Sequence, residues 1–367
     1  MRMIFLSKIP SLLLPSLNEE NNYEDDDNNV HRTILVLFDK KYYKWSHIFD
    51  FQKGVWCVGS SHNFLIFLDN KGCPFLVIPY SNAFIQVPPF TDSFIQHANI
   101  PSYSYYSQFL HKSFISKAVL MSSPSPLQYT LAIMYDYPSK IAFNSNHSTQ
   151  KVILPEAKRS YCDIVFDNNI LDALDEVRTV EGWDFHCQKV PKNILEVNNP
   201  TIMIDKEEYK KFPIDKFSTK FYLVISGKEF MFVERYIGNF VNVNGEVVYE
   251  GSTLSYDQVE NYPYRTKHFI MYKLYMVKEI WENIKSLDGQ VVFVGANESK
   301  LVDASRCDGE GNSIYFTDDR WEEMDLDYSY GGHDWGVFNF QDSSVKLLAP
   351  YENKMNPPPI WVVPLYH

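Results

Sequence analysis

Several things are missing from this chain, and each absence removes a class of protein. No run of 18 apolar residues occurs, so nothing reads as a membrane-spanning helix. None of the five cysteines (Cys57, Cys73, Cys162, Cys187, Cys307) forms a C-x-x-C pair, which removes a local zinc knuckle and a thioredoxin-like redox motif. Their odd number and wide spacing, in a chain large enough to bury a core unaided, read as reduced packing residues. A reducing compartment, cytoplasm or nucleus, is implied. No G-x-x-x-x-G-K-[ST], H-E-x-x-H or G-x-S-x-G string is present, so the common nucleotide, zinc-hydrolase and nucleophile-elbow signatures are lacking. Basic charge is scarce as well. The 34 basic against 46 acidic side chains give a net charge of −12, which repels phosphate backbones and anionic lipid, so neither nucleic acid nor a membrane is the expected partner. The opening MRMIFLSKIPSLLLPSL imitates a secretory leader, but Lys8, Pro10 and Pro15 interrupt it and no small-x-small site precedes Asn18. Without a secretory route the sequons at Asn146 and Asn297 are inert.

What is abundant is aromatic and β-forming. Phe, Tyr and Trp make up 16% of the 367 residues, and such side chains pack well on a half-buried pleated surface. Short apolar runs bounded by turn residues recur. Phe64 to Leu68 and Pro74 to Ile78 flank Asp69-Asn70-Lys71-Gly72. Tyr129 to Met134, Lys140 to Phe143 and Lys151 to Leu154 form a three-strand meander. Asp163 to Phe166 and Ile170 to Leu174 flank Asp167-Asn168-Asn169, with Thr179 to Asp184 as a third strand. Phe221 to Ile225 and Phe230 to Tyr236 flank Ser226-Gly227-Lys228. Phe269 to Tyr275, Glu279 to Ile284 and Gln290 to Val294 form a further set, and Trp335 to Phe340 with Ser344 to Leu348 the last. No i, i+3, i+4, i+7 apolar stripe separates these runs, so crossover helices are not expected. The expectation is an all-β chain. At about 40 to 50 residues per blade there is room for six to eight blades of three- to four-stranded antiparallel meanders, a β-propeller. Periodicity alone leaves a pair of β-sandwiches open. Asn18 to Asn29 is an acidic stretch expected to be a solvated loop. Asn239 to Pro263, with Asn244-Gly245, is expected to be a loop carrying one small hairpin.

The chemistry-bearing candidates each meet an objection. Asp318, Asp319, Glu322, Glu323, Asp325 and Asp327 are the densest acidic cluster, but a calcium loop would need glycine at Tyr330 and a bidentate glutamate at Gly336. A solvated inter-strand loop is expected instead. Asp318 and Asp319 would face apart on a strand, which weakens them as a glycosidase acid–base pair. His62 after Ser60-Ser61, and His333 beside Asp334, lack a nucleophile elbow and read as packing histidines. Trp335, Trp361 and Pro357-Pro358-Pro359 read as blade packing and the start of a closing edge strand over Ile360 to Val363. No catalytic, cofactor-binding or metal-binding residue is assigned, and the chain is not expected to be an enzyme.

Three strings near the C-terminus, NSIYFTDD (Asn312 to Asp319), GGHDWGVFNF (Gly331 to Phe340) and PPPIWVVP (Pro357 to Pro364), occur in one order. Ahead of them come GVWCVGSSHNFLIFLD (Gly54 to Asp69), KAVLMSSP (Lys117 to Pro124), YCDIVFDNNILDAL (Tyr161 to Leu174), FYLVISGKEFMFVERYI (Phe221 to Ile237) and VVFVGANES (Val291 to Ser299). This series resembles the KIB-type β-propeller of plant F-box proteins. The resemblance implies a propeller that recognises a protein target while a separate F-box recruits a ubiquitin ligase. Asn63-Phe64 and Ile78 depart from the family pattern of Gly-Trp and Asn, a mild change at a turn. Residues 1–30 are read as a lead-in segment and acidic loop without an F-box, and residues 31–367 as the propeller. The expected function is a non-enzymatic protein-interaction module with an unidentified protein partner and no Skp-type adaptor contact of its own. The alternatives are a fragment of a complete F-box receptor with a missing upstream exon, and a propeller carbohydrate hydrolase.

Overall fold

The computed structural model describes residues 10–15, 32–36, 41–45, 55–61, 64–69, 73–78, 84–87, 115–120, 129–135, 139–145, 152–153, 159–185, 191–198, 201–203, 210–249, 262–297, 299–307, 309–320, 331–348, 355 and 358–362. The chain begins its β-structure with β1 (Ser11–Pro15), β2 (Arg32–Val36) and β3 (Lys41–Trp45). Blade 1 follows with β4 (Trp56–Ser61), β5 (Phe64–Leu68), β6 (Pro74–Val77) and β7 (Phe84–Gln86). Blade 2 holds β8 (Ile115–Leu120), β9 (Thr130–Tyr135), β10 (Lys140–Ser145) and β11 (Val152–Ile153). Blade 3 holds β12 (Tyr161–Asp167), β13 (Ile170–Asp175), β14 (Val180–Asp184) and β15 (Lys192–Val197). Blade 4 holds β16 (Thr201–Met203), β17 (Phe217–Ser226), β18 (Glu229–Gly238), β19 (Arg265–Tyr275) and β20 (Ile280–Ile284). Blade 5 holds β21 (Gln290–Val294), β22 (Ser299–Asp303), β23 (Ser313–Phe316), β24 (Gly336–Asn339) and β25 (Ser344–Leu347). A last strand, β26 (Ile360–Val362), pairs antiparallel with β1, so the seam sheet runs β26-β1-β2-β3 and joins two distant parts of the chain.

The protein is an all-β propeller, with three corrections to the expected layout. Among the described residues, six to eight uniform meanders are replaced by five blades cut from contiguous chain plus the composite seam sheet. Blades 4 and 5 carry five strands rather than three or four, and each contains one parallel pair, β16 with β20 and β21 with β23. Gln290 to Val294 does not complete the preceding meander, because β21 pairs with β22 and β23 instead of β20. The physical reason is common to all three. Local turn chemistry specifies hairpins, whereas pairing between strands distant in sequence leaves no turn to read.

Where turns are local, residue choice and geometry agree. Asn168 and Asn169 sit at φ 47° and 64° between β12 and β13, the two left-handed positions of a tight hairpin that asparagine tolerates. Six apolar clusters fill the six contacts around the ring. Leu13, Phe67 and Ile360 join the seam to blade 1, and Val58, Ile66 and Leu120 join blade 1 to blade 2. Met134, Phe143 and Ile164 join blades 2 and 3, Leu174, Phe232 and Trp281 join blades 3 and 4, and Val233, Phe316 and Phe338 join blades 4 and 5. Leu12, Phe293 and Trp361 close the ring between blade 5 and the seam. Among the described residues no helix is long and apolar enough to cross a membrane.

Candidate functional site

The innermost strands β4, β8, β12 and β17 touch in succession around the axis. The first three carry the same irregularity near their starts: the register shifts at Cys57/Gly59 in β4, at Ile115/Lys117 in β8 and at Tyr161/Asp163 in β12. A bulge re-aims the side chain that follows it. In β4 that residue is Gly59, whose absent Cβ would lie 1.9 Å from the Ala118 carbonyl oxygen, so blades 1 and 2 close to backbone contact there. In β8 and β12 the residues are Lys117 and Asp163, which form an ion pair with side chains only 7% and 3% exposed.

Asp163 is a hub. Its Oδ1 also accepts from Ile164 N at 2.9 Å, and its Oδ2 accepts from Leu223 N in β17 at 2.7 Å and from Ser299 Oγ in β22 at 2.9 Å. Ser299 Oγ in turn accepts from Lys117 Nζ at 3.2 Å. One carboxylate thereby ties blades 2, 3, 4 and 5. A buried charge is tolerable only when paired and hydrogen-bonded, and both oxygens here are saturated.

A second polar centre lies between blades 4 and 5 around Arg235, which is fully buried on β18. Its Nη1 donates to Thr317 O (2.8 Å), Tyr222 Oη (3.0 Å) and Asp319 Oδ1 (3.2 Å); its Nη2 donates to Asp334 Oδ2 (3.0 Å) and Asp334 O (3.1 Å); its Nε donates to Thr266 Oγ1 (2.8 Å). Phe316 supplies a ring face 4.7 Å from the guanidinium carbon. Burial opposes the Arg235 charge, but Tyr222, Asp319 and Asp334 outweigh it and hold the guanidinium above its ordinary range. Asp319 Oδ2 accepts from Tyr222 Oη at 2.7 Å, and the Asp334 carboxylate accepts from Thr266 N and Oγ1.

Asp318 turns the other way. It accepts from Tyr264 Oη at 2.8 Å and from the backbone N–H groups of Arg320, His333 and Asp334. Burial, then the neighbouring Asp334, pushes its carboxyl up to about 6. His333 leans on Tyr264 with ring centroids 4.6 Å apart, and its Nε2 lies 3.1 Å from the Tyr264 carbonyl. The expectation that Asp318 and Asp319 belong to a solvated loop is therefore corrected: they are 1% and 7% exposed, because tyrosines and Arg235 offer donors that water would otherwise supply. Glu322, Glu323, Asp325, Asp327, His62 and the 18–29 stretch fall outside the described residues. Trp335 and Trp361 pack in the cluster between blade 5 and the seam. Asn297, a sequon residue, is 1% exposed and grips Trp361 through both its amide nitrogen and oxygen.

Between these two centres opens a cavity of about 580 Å³, with Lys117, Asp163, Lys220, Tyr222, Asp319 and Arg320 among its lining residues. It sits at the end of the ring where β8, β12 and β17 begin. Lys220 Nζ donates to the Asp319 carbonyl at 2.6 Å while its side chain stays 40% exposed. Arg320 lies 4.8 Å above the Tyr264 ring, and burial lowers its pKa. None of Lys117, Asp163, Tyr222 or Arg235 was a candidate from sequence. A signal existed: each is a polar or charged residue set inside an apolar strand, as in FMFVERYI and YCDIVF.

The family model for the KIB1-4 beta-propeller matches residues 35–339. The chain belongs to the KIB1-4 beta-propeller family. No curated protein matches it. Among solved structures it is similar to the N-terminal domain of Nup159, with 12% identity and a TM-score of 0.34 over 78% of this chain and 65% of that one. This chain thus spans about two thirds of that domain's length. It is also similar to the Cps50 (Swd1) beta-propeller domain of Myceliophteria thermophila, with 12% identity and a TM-score of 0.34 over 89% and 82% of the two chains. A chain of a nidogen/laminin complex matches with 8% identity and a TM-score of 0.39 over 94% and 95%. Identities this low transfer no chemistry from those proteins.

Proposed function

We propose that this member of the KIB1-4 beta-propeller family is a non-catalytic module that binds another protein. One observation carries the reading: the two buried carboxylates bordering the cavity, Asp163 and Asp319, have their oxygens committed to donors of the fold, which leaves exposed Glu176, held by Ser160 Oγ, with no second free carboxyl beside it among the described lining residues. Asp163 serves Lys117, Ile164 N, Leu223 N and Ser299, and Asp319 serves Arg235 and Tyr222. A glycosidase needs one carboxyl free to protonate a leaving group and another free to act as base or nucleophile. Asp318 and Asp334 are buried among donors of their own and do not border the cavity. Buried carboxylates committed in this way suit binding rather than bond cleavage. The relation to plant F-box receptors, from the motif series, and a cytoplasmic or nuclear setting, from the cysteine usage, are parts of the same proposal.

The test is affinity purification with the full chain as bait. A saturable protein partner at near-equal stoichiometry is the expected result. Turnover of a glycoside by the purified chain, or absence of any saturable partner, would overturn the reading. Co-purification of a Skp-type adaptor with this chain alone would contradict the adaptor-free part.

A further inference from the structure

Blade 4 is built on strands of 10, 10 and 11 residues, β17, β18 and β19, whereas its neighbour β12 has 7. The bond from Leu223 N to Asp163 sets their relative height. Leu223 is the seventh residue of β17 and Asp163 the third of β12, so β17 overhangs the mouth by about four residues, or ~13 Å. The overhanging stretch, Phe217 to Lys220, and Phe221 level with the start of β12 are half-buried, and only then does β17 become buried.

β17 is also a sheet edge, the last strand in the order β16-β20-β19-β18-β17. Ser218, Thr219, Lys220, Phe221 and Tyr222 all line the cavity. Side chains alternate between faces of a strand, so five consecutive lining residues mean that the cavity meets the strand edge-on. Leu223 sends its N–H away from β18, to Asp163. The alternation of an antiparallel ladder gives Thr219 and Phe221 the same outward aim. Phe217 N is taken by Pro213 O. Among the described residues no hydrogen bond uses the outward N–H or C=O groups of Thr219 and Phe221.

We propose that the overhanging edge of β17 takes up an extended peptide segment of a partner protein as an added strand, with an acidic side chain of that segment meeting Lys220. Main-chain bonds to Thr219 and Phe221 supply the affinity, as in other cases of strand addition. The charge selectivity comes from Lys220, whose side chain is 40% exposed and whose ammonium has three donors, one spent on the Asp319 carbonyl with the Asp319 carboxylate a further ion-pair partner at 3.8 Å, so an acidic side chain would share it with Asp319. The cavity falls within the volume range of ligand sites, roughly 300 to 1,000 Å³. The inference rests on the interaction-module reading and adds the location and chemistry of the contact.

The probe is a random peptide library displayed on phage and selected on the immobilised full chain. Peptides rich in β-branched residues and carrying Asp or Glu are the expected selection. Thr219→Pro removes one outward N–H while leaving the β18 ladder intact, since proline is tolerated on a strand edge. It should weaken a selected peptide about tenfold, the scale of one lost hydrogen bond. Lys220→Glu should weaken acidic peptides by a similar factor and spare versions with Asp or Glu amidated. Hydrogen exchange needs no variant: the Thr219 and Phe221 amides should exchange quickly in the free chain and slowly in the complex. Unchanged binding by both variants, or slow exchange of both amides in the free chain, overturns the proposal. If the library yields nothing while the affinity bait still captures a partner, the strand-addition site falls and the module reading stands. If neither yields anything, both fall.

Discussion

Arg235 has no solvent-facing surface, so its charge is stabilised only by the groups around it. Replacing it with methionine keeps much of the volume and removes the positive charge, leaving Asp319 and Asp334 buried without their guanidinium partner. Breaking one side of a buried pair costs about 3–5 kcal/mol. Equilibrium urea unfolding of Arg235→Met should show a loss of that order; an unchanged midpoint would mean that the remaining hydrogen bonds to Asp319 and Asp334 hold them without the guanidinium. Asp172 presents the opposite case. It is 4% exposed on β13, one of its oxygens has no hydrogen-bond partner, and burial followed by Asp167 pushes its carboxyl up to about 7. A carboxyl raised above its unfolded value holds its proton longer in the folded chain. Its contribution to stability is therefore fully present below pH ~4 and is lost as pH rises towards 7. Asp172→Asn removes that dependence. Thermal melts from pH 4 to 8 should show the variant gaining on the parent as pH rises, by on the order of 2–4 kcal/mol at neutrality. Parallel curves for the two proteins would refute the assignment.

At the scale of strands, the decisive contact is the one Gly59 permits. A methyl group there would meet the Ala118 carbonyl oxygen at 1.9 Å, and a backbone atom cannot swing aside as a side-chain tip can. Gly59→Ala must separate β4 from β8, at a cost of about 1–3 kcal/mol or more. The measurement is the melting temperature, with Gly245→Ala as a comparison: there a Cβ meets open space and only the positive φ of 81° is strained. An equal fall for both would mean that the blade contact yields easily. Strands bounded by polar turns were legible from sequence. β5, β6, β9, β10, β12, β13, β17 and β18 all fall where apolar runs flank Asp, Asn, Gly or Ser. β15 was not, because exposed Lys192, Ile194 and Glu196 alternate with partly buried Asn193 and Leu195 and dilute the apolar signal. β22 was missed for a related reason: SKLVD is short and largely polar, and its place beside β17 is decided by Ser299 meeting Asp163, 136 positions away in sequence. The polar centres were hidden for the same cause. A lone Arg235 in FMFVERYI is visible as an oddity, but its partners Thr317, Asp319 and Asp334 become neighbours only once blades 4 and 5 pack.

On the scale of the whole ring, Trp361 bears on three regions at once. It is fully buried in the cluster with Leu12, Leu14 and Phe293, its Nε1 donates to Val294 O at 2.9 Å, and its backbone is held by Asn297. Trp361→Ala removes a fully buried indole at the seam and leaves the Val294 carbonyl without this donor. A loss of about 3–5 kcal/mol is expected, read by chemical unfolding. Trp281, equally buried between blades 3 and 4, gives the control. If Trp281→Ala proves costly and Trp361→Ala does not, the seam contributes little to the closed ring.

The pairing of β1 with β26 also sets a timetable for synthesis. Ser11 to Pro15 leave the ribosome long before Ile360 to Val362, so one flank of β1 must wait while more than three hundred residues are made. During that interval the Leu12 and Leu14 side lacks Trp361 and the closing strand. The nascent chain then shows water an oily, strand-hungry margin that a chaperone would be suited to shelter.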